Sequence, residues 1–134
     1  MLRAAAAAVL ISTVLNALGV FTEDAIHWVN LLIGFAMALV AAALVFGLLV
    51  RRAERTPGRA AWWGLGFAVL ALLTVPAFWS GLPPVFGVAA IYLGRTAWRT
   101  AEPRPRAAIL CVVLGVAAIL ADVGAYATDE ASRY

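Results

Sequence analysis

The sequence predicts an all-α membrane protein, a compact bundle of five short transmembrane helices forming a single domain over residues 1–134. Three observations carry that prediction. Hydrophobic residues make up 65% of the chain and charged residues 13%, far from the half-apolar, quarter-charged mixture of soluble domains. The apolar residues gather into five runs separated by joints too short to hold a second domain, so sequential neighbours must run antiparallel. The arginines gather in alternate joints and so on one side, as basic residues do when a chain crosses a bilayer repeatedly.

The spans follow in order from the roughly 20 apolar residues needed to cross a hydrocarbon core of about 30 Å. The first covers residues 4–18, with Gly19 as its stop. A rival reading makes residues 1–19 a signal peptide, with Arg3 as its basic start and Ala17-Leu18-Gly19 as a small-x-small cleavage site. The second span covers 26–50, capped by Thr22 with Glu23 and Asp24 in its positive first turn. Thr56-Pro57-Gly58 breaks the joint to the third span at 60–79, where Pro76 removes the amide that would reach Leu72 and so predicts a kink. Ser80-Gly81-Leu82-Pro83-Pro84 is a tight hairpin, with Pro84 suited to the first position of a fourth helix over 84–98. Fifteen residues of helix rise only about 22 Å, so four spans plus a short or re-entrant segment is the alternative architecture. Glu102-Pro103-Arg104-Pro105 stops that segment, and the fifth span covers 107–126.

Arg3, Arg51, Arg52, Arg55, Arg59, Arg95, Arg99, Arg104 and Arg106 all fall on one side of this arrangement; Glu23, Asp24, Asp129, Glu130 and Arg133 fall on the other. The excess of basic residues inside the cell predicts an N-terminus in and a C-terminus out. Trp62, Trp63 and Trp98 at the inner ends, and Phe21, Trp28, Trp79 and Tyr126 at the outer ends, form the two aromatic belts of the same topology. Ten arginines without a lysine, with abundant alanine, resemble the small multi-pass proteins of high-GC bacteria, as does Phe78-Trp79-Ser80-Gly81-Leu82-Pro83. That resemblance implies a bacterial cytoplasmic membrane and no activity. Basic joints account for the net charge without nucleic acid as a partner.

Helices in lipid associate through small residues and interhelical hydrogen bonds. Gly34, Ala38 and Ala42 mark one packing face, Gly87, Ala90 and Gly94 a second, and Cys111, Gly115, Ala118, Asp122 and Ala125 a third. Ala5, Ala8, Ser12, Asn16 and Gly19 mark a fourth.

Few residues offer chemistry. Asp122 lies four residues before Tyr126, about 6 Å below the expected outer helix end; it either reaches the headgroup region and is solvated, the favoured reading, or faces the bundle and exchanges a proton or cation. Asn16 and Ser12, one turn apart, either line a polar path or act as structural glue, and Thr74 and Asn30 read as glue. Glu23 and His27 share a face at the spacing of a metal pair, a weak signal. Arg51, Arg52, Arg55 and Arg59 can meet lipid headgroups, with Glu54 and Glu102 moderating their repulsion. The single cysteine excludes an intrachain disulfide, and no phosphate loop, HExxH or nucleophile elbow is present. The chain therefore reads as a non-enzyme without a cofactor. The leading expectation is a bundle that associates with itself or with another membrane protein; the alternative is a minimal oligomeric transporter or channel using Asp122 and Asn16. A binder of lipophilic ligands, held against Trp79, Phe86 and Tyr92, comes third.

Overall fold

The computed structural model describes residues 1–20, 28–80 and 82–132, and the described residues are helical apart from short joints, without a strand. Five helices form the bundle: α1 (Leu2–Val20), α2 (Trp28–Leu44), α3 (Ala60–Thr74), α4 (Leu82–Thr100) and α5 (Arg106–Ala131). Three helical stretches among the described residues, Leu32–Glu54, Ala60–Ala77 and Arg106–Asp129, are long and apolar enough to cross a membrane, and Leu2–Ala17 is a shorter apolar one.

The punctuation differs in detail from expectation. Gly19 does not end the first helix, which runs through Val20. Beyond Leu44, α2 widens into a π-helical segment, Val45–Val50, before a last α turn, Arg51–Glu54. Such a turn admits one extra residue, and it leaves Val45, Phe46 and Val50 buried. The break at Thr56-Pro57-Gly58 holds: a 3-10 turn, Pro57–Arg59, follows, and Arg59 N–H donates to the Thr56 carbonyl at 2.9 Å. The α-helical part of the third span ends at Thr74 and gives way to a 3-10 segment, Val75–Ser80, in which Ala77 leaves helical geometry at φ −104°, ψ 42°. Pro76 is the cause, since the Leu72 carbonyl it cannot reach is taken instead by Val75 N–H. α4 starts at Leu82, so Pro83 and Pro84 both lie inside its first turn, where backbone amides have no intrahelical partner to lose. Its 19 residues rise about 28 Å. It is one continuous helix.

α4 is the central element, packed against α1, α3 and α5. Pro83, Val85, Gly87, Ala89, Ala90, Leu93, Gly94 and Ala97 are all buried along it. A helix enclosed by neighbours needs small residues more than long apolar ones, which explains why it is the least hydrophobic span. The approach is close. A Cβ on Gly94 would lie 2.8 Å from the Ala108 carbonyl oxygen, and one on Gly115 would lie 2.8 Å from that of Gly87. On the other flank of α4, Phe86 stacks on Phe67 of α3 with ring centroids 6.1 Å apart, and Gly64 packs against Leu93 and Cys111. Ala60, Ala61, Ala97 and Ala108 close one end of the bundle, where Cys111 Sγ donates to the Ala61 carbonyl at 3.1 Å. That end carries Arg3, Arg51, Arg52, Arg55, Arg59, Arg95, Arg99, Arg104 and Arg106, every one exposed, with Arg104 stacked 5.3 Å from the centre of the Trp98 ring.

Candidate functional site

The opposite end of the bundle gathers the polar residues of the spans. Ser12 and Asn16 come from successive turns of α1, and Asp122 and Tyr126 from successive turns of α5, in both cases four residues apart and so on one helix face. Tyr126 Oη donates to Asn16 Oδ1 at 3.0 Å, and Asn16 Nδ2 donates to the Ser12 carbonyl at 3.0 Å. α2 closes over the pair: a Cβ on Gly34 would stand 3.4 Å from Asn16 Nδ2. α1 and α5 run parallel, so Ser12 and Asp122 each lie one turn below the Tyr126–Asn16 bond. Both are fully buried.

Asp122 is therefore buried within the bundle, where the favoured sequence reading expected it to be solvated. The small-residue stripe Cys111, Gly115, Ala118 points into the bundle against α4, and Asp122 continues that stripe inward. Neither of its carboxyl oxygens has a hydrogen-bond partner among the described residues. The register explains why. Gly94 lies against Ala108 and Cys111, and Gly87 lies against Gly115 and Ile119; continuing that antiparallel pairing brings Asp122 level with the start of α4. The first turn of a helix ordinarily offers free amides to a carboxylate, but here Pro83 and Pro84 carry none. A cleft of about 410 Å³, lined by Val75, Pro76, Ala125, Thr128, Asp129 and Ser132, opens beside this end. Ala125 in its lining is three residues, about 4.5 Å of helix rise, from Asp122.

The remaining candidates separate. Gly34, Ala38, Ala42, Gly87, Gly94 and Gly115 are all buried inside the chain, so the packing faces read from the sequence hold α2, α4 and α5 within one bundle and are not open to a partner. Glu23 and His27 lie outside the described residues, as does the Thr22 cap. Arg51, Arg52, Arg55 and Arg59 are exposed at the basic end. Glu54 does more there than moderate their repulsion, because its carboxylate accepts a hydrogen bond from Tyr92 Oη across to α4. Thr74 satisfies local carbonyls, donating to those of Leu70 and Ala71 at 2.9 and 3.0 Å. Phe86 and Tyr92, two of the three proposed ligand contacts, are engaged by Phe67 and Glu54 respectively. Tyr126 is the functional candidate that sequence reasoning missed. It reads as an interfacial anchor, although its four-residue spacing from Asp122 places both on one face.

Fold and site together define a class, an all-helical bundle with one strongly basic end and a buried carboxyl near the other. Compared with known proteins, the chain matches no described family, no curated protein and no solved structure.

Proposed function

We propose that this chain is an integral membrane protein of five spans, its basic end in the cytoplasm, that moves a proton or a monovalent cation by way of Asp122. The membrane part is supported by a distribution that is inverted relative to a soluble protein. Alanine dominates the fully buried positions, while Leu32, Leu73 and Leu120 are 64%, 70% and 65% exposed. Exposed leucines in this number are a liability in water and the expected surface in lipid. Nine exposed arginines at one end supply the orientation.

The transport part rests on a single observation: a fully buried carboxyl without a hydrogen-bond partner among the described residues, facing the interior of the bundle. An isolated carboxylate at that position is expensive, so its charge must be neutralised by a proton or by a cation. Ser12, Asn16 and Tyr126 supply oxygen atoms around the same level, and the cleft at Ala125 gives an approach from the outer side. The test is flux in proteoliposomes with an imposed pH gradient or an imposed sodium or potassium gradient. Wild type is expected to dissipate one of them, and Asp122→Asn to behave as empty vesicles. Wild-type vesicles as tight as empty ones to all three ions would end this reading.

Association with a partner is a second reading, favoured by a different surface. Ala117, Ala121, Gly124 and Thr128 form an exposed small-residue stripe on the outside of α5, a spacing that admits a close helix. Gly124→Leu, at a position where an added Cβ meets no atom within 4 Å, should abolish a dimer or a hetero-complex if one forms there.

A further inference from the structure

On the flank of the bundle, an apolar groove of about 430 Å³ lies between Leu49 in the π-helical segment of α2 and the outer face of α3. It runs from Arg59 to Leu70. That is eleven residues of rise, about 16 Å, which matches the roughly 15 Å half-thickness of a bilayer's hydrocarbon core. Trp62 and Trp63 form its wall near the basic end, the depth at which tryptophan collects in membranes. Its floor is Gly66, where a Cβ would meet no atom within 4 Å.

We propose that this groove holds one acyl chain of an anionic phospholipid of the cytoplasmic leaflet, with the lipid phosphate on Arg59. The inference rests on the membrane reading above and is independent of Asp122. Charge complementarity selects the headgroup. Arg59 is exposed at the groove's mouth, in the same joint as the exposed Arg51, Arg52 and Arg55, and a guanidinium can take two phosphate oxygens at once. The groove's length selects a chain that enters from the interface and ends near mid-membrane, as an acyl chain of one leaflet does.

The test is native mass spectrometry of the protein released from nanodiscs of phosphatidylcholine containing a minor share of phosphatidylglycerol. Wild type is expected to retain one phosphatidylglycerol, enriched over its share of the disc. Arg59→Gln should cut that enrichment about fivefold, the equivalent of ~1 kcal/mol for one near-surface arginine, whereas Arg106→Gln, at the same end but away from the groove, should leave it unchanged. Gly66→Phe should empty the groove of either lipid while retaining wild-type helicity. Retention at the disc ratio, equal effects of Arg59→Gln and Arg106→Gln, or lipid counts indifferent to Gly66→Phe would each overturn the proposal. So would a dimer that Gly66→Phe disrupts and lipid composition does not. A chain that stays outside the nanodiscs overturns the membrane reading itself, and with it the groove.

Discussion

Replacing Gly115 by alanine adds one methyl group where α4 and α5 approach closely. The new Cβ would lie 2.8 Å from the Gly87 carbonyl oxygen and 2.9 Å from Ile91 Cγ1. The first of these is backbone and cannot rotate away, so α4 and α5 must separate by about half an ångström or more to restore ordinary contact, loosening every other small-residue contact along the seam. Overpacking of this kind costs about 1–3 kcal/mol. The same change at Gly124, on the same helix, meets nothing within 4 Å. Alanine's intrinsic advantage over glycine in a helix, about 1 kcal/mol, applies to both sites and cancels in the comparison. Gly115→Ala should therefore unfold at a free energy about 1–3 kcal/mol below Gly124→Ala, and Gly124→Ala at or above wild type. Reversible unfolding in mixed micelles, followed by far-UV circular dichroism, measures the difference directly. Gly94→Ala, facing the Ala108 carbonyl at 2.8 Å, should rank with Gly115→Ala, and Gly34→Ala, with its nearest atom at 3.4 Å, should be tolerated. Equal stability of Gly115→Ala and Gly124→Ala would refute the packing scheme, and with it the inward placement of Asp122 on the same stripe.

Other consequences are open to simpler experiments. Asp122→Leu removes a buried carboxyl that has no hydrogen-bond partner among the described residues and should leave the bundle as stable as wild type or more so, while abolishing flux; a marked loss of stability would mean the carboxyl is structural. Tyr126→Phe removes the bond to Asn16 and should cost about 0.5–1.5 kcal/mol in the same unfolding assay. Topology is accessible through cysteine labelling in a Cys111→Ala background. Thr56→Cys should react with an impermeant maleimide only after the cell is opened and Thr128→Cys in intact cells, and the reverse pattern would invert the assignment of inside and outside.

The helices themselves were legible because each is an apolar run of helical length bounded by residues that stop it. Joints such as Thr56-Pro57-Gly58 announce themselves through residues that cannot continue a helix. The inward stripes were legible in part, since Gly115 and Ala118 repeat with the helical period and both are buried, whereas the sequence reading favours solvation for Asp122 on the same stripe. The destination of the stripes was not legible. A small-residue face looks the same in sequence whether it packs against the next helix of its own chain or against another molecule, and only the positions of α4 and α5 show that these faces are filled internally.

Sequence alone, then, determined the all-helical class, the number and approximate bounds of the helices, and the segregation of arginine to one end, because each follows from periodicity, length and charge along a single stretch of chain. Tertiary structure alone decided the central position of α4, the meeting of Asn16 with Tyr126 across 110 residues, the burial of Asp122 beside a proline-blocked helix start, and the groove beside Gly66. Each of these depends on how far one helix slides and turns against another. That is set by the sum of many close contacts between distant segments, and no local pattern records it.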